Sequence, residues 1–378
     1  MSSSQLGGQI LALTGLRYLA AASVVAFHFS KSGNAWVRAL VDHGGFGVVI
    51  FFVLSGFILV YSYDVGAGKF RGTRPAFWAA RVARLYPTYV VGMMLMAPVV
   101  LMRSAEPAWQ QLASGILSFA LIQSWFNSLG TSWGIWNPPG WSLSAEAFFY
   151  LLFPAVCVTL SKLSTIRLVV FAGVCCGIGA LSVFTQTIVE LAAGDLWGYI
   201  PLIRLPEFLI GVAAGLIWKR RDTRVFDRSA SWITTLSAGA LILLMLLPLD
   251  DRWYARATFA PLVALFICAL ACGQGPIAKI LSCEPLVKLG KASFSVYILH
   301  WPVWMILDEV FGPSSFAIRQ PNLYFGLYFM LTTGLACLCF KYVEEPMNRI
   351  LREKFINSSS AARYPATVIP QHESATLT

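Results

Sequence analysis

Long apolar runs dominate the chain. They recur at about 17 to 22 residues with short polar stretches between them, and a helix rising 1.5 Å per residue needs that length to cross a bilayer core of ~30 Å. A chain patterned this way reads as an all-α, polytopic transmembrane helix bundle. Composition agrees: 57% of the 378 residues are hydrophobic and 12% charged, against roughly 45–50% and about 25% in a soluble domain. A soluble globular protein is excluded.

Eleven segments qualify as spans, at residues 11–30, 46–63, 85–102, 112–126, 141–160, 166–187, 201–218, 231–248, 256–272, 293–311 and 323–342. The 112–126 segment is the shortest, below the ~17 to 25 residues usual for a span. Whether it crosses sets the side of everything after it, and the positive-inside rule decides between the two cases. If it does not cross, 20 of the 28 Lys and Arg fall on one side and 6 on the other, with Arg17 and Arg204 inside spans. If it does cross, the clusters at 69–84 and 219–228 face opposite sides and the asymmetry collapses. The expectation is ten spans with both termini cytoplasmic, and 112–126 as a re-entrant or interfacial helix.

The formal charge of +10 does not point to nucleic acid, because the cations are interleaved with the spans and form no basic soluble domain. Cys157, Cys175, Cys176, Cys268, Cys272, Cys337 and Cys339 lie in apolar runs, with no CxxC and no histidine at metal-ligand spacing. They read as buried, unpaired thiols, and no metal site is expected. The first ten residues carry no base and the first run contains Arg17, so that run reads as a retained span. One membrane domain over 1–355 is expected, followed by a disordered cytoplasmic tail, 356–378, rich in Ser, Ala, Thr and Pro.

Ionisable groups inside spans are costly and are functional or paired by default, which singles out Arg17, His28, Glu146, Arg204, Glu207 and His300. Arg17 and His28 stand eleven positions apart, so they share a helix face with ~16 Å of rise between them. Glu146, in WSLSAEAFF, falls near the depth predicted for His28. A carboxylate there would fix the imidazole's tautomer and make His28 a general base, while the same spacing also fits a structural His–Glu hydrogen bond. Arg81 and Arg84, in RVARLYP, are i,i+3 neighbours at the inner membrane edge. Arginine forks suit phosphate, so they could bind a phosphorylated cytoplasmic donor, and they equally fit positive-inside anchoring or anionic lipid. The 219–228 cluster reads as such anchoring. Arg204 and Glu207 form a second i,i+3 pair, with a possible place in an acceptor vestibule. His300 has no acid near it in sequence and fits a structural hydrogen bond as well as chemistry.

Taken in order, these residues resemble the bacterial acyltransferase-3 family of membrane O-acyltransferases. LTGLRYLAAASVVAFHFS is similar to its Arg, ten residues, His signature at Arg17 and His28. FGVVIFFVLSGFILV, with Ser55 and Gly56, resembles its second span, and RVARLYP its Arg-x-x-Arg element. WSLSAEAFFYLLFP resembles its Trp-Ser-Leu-x-x-Glu element at Trp141, Ser142 and Glu146, and SFSVYILHWPV its Tyr-x-x-His-x-Pro element at Tyr297, His300 and Pro302. The resemblance implies transfer of an acyl group, usually acetyl from acetyl-CoA as co-substrate, to a hydroxyl of a cell-surface polysaccharide or lipid-linked precursor at the bacterial inner membrane. Some relatives act on secreted lipochitin oligosaccharides or macrolides instead. Others carry a fused periplasmic hydrolase-like domain, which is not expected here, so the expectation is that either the core completes transfer or a separate partner does. On this reading His28 is the general base or a transient acyl carrier and Glu146 its orienter. Arg17, Arg81 and Arg84 bind the donor, and Trp141, Ser142, Ser144, Arg204, Glu207, Tyr297 and His300 are candidates for the acceptor or oxyanion site. The rival reading is a transporter or flippase of an anionic or lipid-linked solute, since intramembrane Arg, Glu and His also build substrate paths.

Overall fold

The computed structural model describes residues 3–29, 41–66, 68–103, 106–126, 136–193, 199–221, 223–247, 258–311 and 320–356. The helices, in chain order, are α1 (Ser3–Phe29), α2 (Phe46–Tyr63), α3 (Arg74–Arg103), α4 (Ala108–Phe119), α5 (Gln123–Phe126), α6 (Gly140–Leu160), α7 (Thr165–Ala193) and α8 (Pro201–Arg220). They continue as α9 (Thr223–Met245), α10 (Ala260–Leu270), α11 (Gly275–Leu281), α12 (Glu284–Lys291), α13 (Ser293–Phe311), α14 (Pro321–Cys339) and α15 (Glu345–Ile356). Among the described residues, strand is confined to a small antiparallel hairpin, β1 (Asp64–Gly66) and β2 (Lys69–Phe70), between α2 and α3. The helical bundle inferred from the apolar runs is therefore the fold. The expected tail, 356–378, lies outside the described residues beyond Ile356.

Among the described residues, eight helices are long and apolar enough to cross a membrane, or nine if α10 and α11 count as one span. This agrees with the expected bundle of about ten spans, and two of the ten runs depart from a straight, uniformly apolar helix. The 256–272 run does not continue as one straight helix: α10 ends after eleven residues and the chain bends by 84° into α11. Gly273 and Gly275 supply the bend with φ of 69° and 88°, a left-handed backbone that other residues resist, and a proline follows in the first turn of α11. The 293–311 run does form a helix with those bounds, α13, but Tyr297, His300, Trp301, Trp304, Asp308 and Glu309 lower its hydropathy. Packing explains why it tolerates them. α13 is enclosed by α1, α3 and α14, so its first half meets protein rather than lipid.

The 112–126 segment is resolved into two short helices. At 1.5 Å per residue the twelve residues of α4 reach only ~18 Å, short of the core thickness. Hydrogen bonds latch this pair onto the bundle: Tyr89 Oη on α3 donates to the Ser118 carbonyl (2.7 Å), while Gln123 Nε2 and Ser124 Oγ donate to the Gly140 and Trp141 carbonyls (2.8 and 3.1 Å). The segment thereby positions the first turn of α6.

Two prolines inside helices create further ties. Proline lacks an N–H and frees the carbonyl four residues earlier, which cannot be left unpaired in an apolar interior. Pro154 in α6 frees the Tyr150 carbonyl, and Trp78 Nε1 of α3 donates to it (3.0 Å). Pro302 in α13 frees the Ile298 carbonyl, and Asn137 Nδ2, fully buried, donates to it (3.2 Å). Helices α2 and α8 cross closely, so that a Cβ added at Gly211 would lie 2.1 Å from the Val53 carbonyl oxygen. Small residues permit such backbone approach in membrane bundles.

Candidate active site

Helices α1, α2, α3, α6 and α13 enclose a cavity of about 80 Å³. Arg17 enters it from α1, Ser55 from α2, Arg81 and Arg84 from α3, Ser142, Glu146 and Tyr150 from α6, and Tyr297 from α13. Three cations that sequence reasoning assigned to one ligand thus line one cavity, although 64 positions separate Arg17 from Arg81. The i,i+3 spacing accounts for Arg81 and Arg84. Only the packing of α1 against the bundle adds Arg17.

Arg81 is buried with its guanidinium carbon 5.7 to 5.8 Å from the ring centres of Tyr63, Phe77 and Tyr150. Its Nη2 donates to Tyr63 Oη at 3.4 Å, and its Nε has no hydrogen-bond partner among the described residues. The aromatic cage fixes the guanidinium plane while leaving donor capacity for a ligand. Arg17 lies in the electrostatic field of Arg84, Glu344, Glu146 and Tyr150, a site where two carboxylates balance clustered positive charge.

Glu146 does not orient His28. Its Oε1 accepts hydrogen bonds from Tyr150 Oη and from Ser55 Oγ (3.3 Å), closing the wall between α6 and α2. Depth along the membrane put the two residues level, but a contact also requires the right helix face. Glu146 faces α2 and the cavity, whereas His28 stands at the far end of α1 against α13. The partner of His28 is its own helix: Nδ1–H donates to the Val24 carbonyl at 2.9 Å. A carbonyl can only accept, so the neutral ring carries its proton on Nδ1 and keeps the Nε2 lone pair free.

His300 lies beside His28, with ring centroids 5.2 Å apart and planes tilted by 36°. His28 is exposed and His300 fully buried behind it. Trp301 meets His28 edge-on at 5.5 Å, and Phe29 packs on Trp301 and Trp304. His300 Nδ1–H donates to the Tyr297 carbonyl at 2.6 Å, so its tautomer is fixed in the same sense. Tyr297 joins the imidazoles to the cavity. Its ring centre is 5.9 Å from that of His300, and its Oη pairs with Ser142 Oγ at 2.8 Å on the cavity wall.

The second intramembrane pair is as expected from its spacing. Arg204 Nη1 meets Glu207 Oε1 at 3.1 Å with both side chains buried, and the guanidinium lies 5.5 Å from the ring centres of Phe52 and Trp141. Neither residue lines the cavity. Trp141 instead packs edge-on against Tyr199 at 5.1 Å. Ser144 is buried with Oγ unpartnered among the described residues. Cys157, Cys175, Cys268, Cys272 and Cys339 are buried, Cys176 and Cys337 half-buried, and all are free thiols. Among the described residues, no three His, Cys, Asp or Glu side chains gather as a metal site would require.

Sequence reasoning missed Glu344. It sits just beyond the last apolar run, where a π-helical turn (Phe340–Glu344) rotates it inward. There its Oε2 accepts from Ser295 Oγ (2.6 Å) and Thr88 Oγ1 (3.1 Å). The available signal was an acidic pair at the edge of an otherwise basic inner loop. Tyr63, Tyr150 and Asn137 were missed as well, since nothing in their spacing distinguishes them from ordinary core residues.

Fold and site together define a polytopic helical membrane protein with a charged cavity between its helices. A family model described as an acyltransferase domain, that of the acyltransferase-3 family, matches residues 10–341. A Streptomyces mycarofaciens protein named Acyltransferase MdmB is 31% identical over 334 residues, 82% of this chain and 82% of that protein. A Listeria monocytogenes protein named Peptidoglycan O-acetyltransferase OatA is 27% identical over 367 residues, 91% of this chain. The chain spans only 56% of that relative's length. No solved structure matches. The chain belongs to the acyltransferase-3 family and is a membrane acyltransferase, which decides against the transporter reading.

Proposed function

We propose that this acyltransferase moves an acyl group, acetyl in the simplest case, from cytoplasmic acyl-CoA to a hydroxyl of a cell-surface polysaccharide or lipid-linked glycan precursor. The observation that carries the reading is the convergence of Arg17, Arg81 and Arg84 on one cavity that Tyr297 also lines, with Tyr297 packed against His300 and His300 against His28. Arginine forks bind phosphate oxygens with charge-assisted hydrogen bonds, which suits the CoA phosphates. The pantetheine arm then follows Ser55 and Ser142 toward Tyr297. The acceptor hydroxyl approaches the exposed His28, whose Nε2 lone pair takes its proton. The oxygen attacks the thioester carbonyl, the C–O bond forms as the C–S bond breaks, and the thiolate recovers the proton. Tyr297, Ser142 and Ser144 are the donors nearest the path for the developing oxyanion. In the covalent variant His28 Nε2 carries the acyl group transiently.

The name of the Listeria relative supports a glycan acceptor, and the charge asymmetry of the loops supports an inner membrane orientation with cytoplasmic termini. The test supplies purified protein with acetyl-CoA and follows CoA release together with the mass of surface glycan from expressing cells. His28→Ala is expected to abolish both at normal membrane yield. Arg81→Ala with Arg84→Ala is expected to raise KM for acetyl-CoA about tenfold or more, given ~1.5–3 kcal/mol per charged hydrogen bond. Turnover that survives His28→Ala, or an unchanged KM in the double variant, refutes the corresponding assignment.

A further inference from the structure

His300 holds a buried imidazole nitrogen with nothing to bond. Its Nδ1–H is committed to the Tyr297 carbonyl, its side chain is fully buried, and Nε2 has no hydrogen-bond partner among the described residues. A buried polar atom left unsatisfied is costly. An apolar residue of similar shape would avoid that cost, so the lone pair calls for an occupant. His28 stands opposite with the same commitment of Nδ1–H, to the Val24 carbonyl, which leaves its Nε2 an acceptor. Two neutral imidazoles in these tautomers present two acceptors to each other and cannot hydrogen-bond. One added proton changes that. The ring centroids stand 5.2 Å apart, and with each ring nitrogen about 1.1 Å from its ring centre, that spacing lets a turn of the rings bring the two Nε2 atoms to the ~3 Å of a shared N–H···N bond.

We propose that His28 and His300 act as a single proton-holding unit, in which His300 Nε2 shares the proton that His28 takes from the acceptor hydroxyl. The proposal rests on the reading of His28 as the base of acyl transfer. The proton leaves the acceptor oxygen for His28 Nε2, is shared between the two Nε2 atoms while the C–O bond forms and the C–S bond breaks, and passes to the departing thiolate. No co-reactant is needed. His300 touches no substrate and acts through His28, so it is a positioning residue. The surroundings leave the pair its own partners. The titratable groups facing His300 are His28 from α1, Tyr297 on its own helix and Tyr328 from α14, whose Oη donates to the His300 carbonyl (2.7 Å). The neighbouring turn of α13 meets Gly92 of α3 and the Asn137 amide. Among the described residues neither ring hydrogen-bonds a carboxylate, so within this site His300 does what Glu146 was expected to do.

The chain has four histidines, few enough to resolve individually by ¹⁵N spectroscopy of histidine-labelled, full-length protein in detergent. Through an acid titration of wild type, the Nε2 signals of His28 and His300 are expected to move together as one protonation. In His28→Ala, the His300 signal should stay unprotonated across that range. If His28 protonates while His300 Nε2 does not move, the pairing is overturned, and this wild-type measurement requires no variant to fold. Turnover with acetyl-CoA gives the second readout. His300→Asn retains a donor for the Tyr297 carbonyl but lacks the second nitrogen, and it is expected to lower kcat about tenfold with KM for acetyl-CoA unchanged. Unchanged kcat in His300→Asn, in protein whose activity still depends on His28, overturns the pair alone. Activity that persists in His28→Ala overturns the underlying base assignment.

Discussion

Replacing Gly211 with alanine tests how tightly the cavity depends on helix packing. The added Cβ would lie 2.1 Å from the Val53 carbonyl oxygen, whereas ordinary contact begins at 3.4 Å, so α2 and α8 must part locally by 3.4 − 2.1 = 1.3 Å. The obstacle is backbone, which no rotamer change relieves. Overpacking of this kind costs about 1–3 kcal/mol, offset by the ~0.5–1 kcal/mol that alanine gains over glycine within a helix. The net expectation is a loss of about 1–2 kcal/mol. α2 also carries Ser55, and lengthening its 3.3 Å bond to Glu146 by the same amount would end it, so activity should fall together with stability. Heating detergent-solubilised protein with a thiol-reactive fluorogenic dye reads unfolding through the buried cysteines. Gly177→Ala is the control. Gly177 lies in α7 with nothing within 4 Å of its added Cβ, so that variant should unfold slightly later than wild type. If both substitutions move the midpoint in the same direction, the close crossing of α2 and α8 is not what holds the cavity.

Arg204→Met alone should destabilise by about 3–5 kcal/mol because it strands Glu207 in the interior, while Arg204→Met with Glu207→Leu should recover most of the loss; equal loss in both would refute the pairing. Trp78→Phe leaves the Tyr150 carbonyl freed by Pro154 without its donor and should cost about 1–3 kcal/mol in the same heat scan, with no change if that carbonyl is satisfied otherwise. Glu146→Gln retains an acceptor oxygen for Ser55 and Tyr150, so its rate profile against pH should keep the wild-type shape. A displaced acid limb would mean that Glu146 is coupled to His28 after all.

The membrane class, the helical bundle, the short 112–126 segment and nearly every polar residue of the site are legible from the chain alone. The reason is that water and hydrocarbon differ enough for each run of apolar residues, and each charge interrupting one, to carry information without reference to its neighbours. The i,i+3 pairs are equally legible, because helical geometry brings Arg81 to Arg84 and Arg204 to Glu207 before any packing occurs. Azimuth is another matter. Depth along the bilayer made His28 and Glu146 look like partners, yet which faces meet depends on how α1, α2, α6 and α13 pack, and that is set by contacts such as the Gly211 crossing rather than by any local pattern. The same holds for the carbonyls freed by Pro154 and Pro302: the chain announces that each needs a donor, and only the tertiary fold supplies Trp78 to one and Asn137 to the other. His28 and His300, 272 positions apart, become neighbours for the same reason, since a helix fixes the spacing within itself while the burial of its faces against other helices decides what stands opposite.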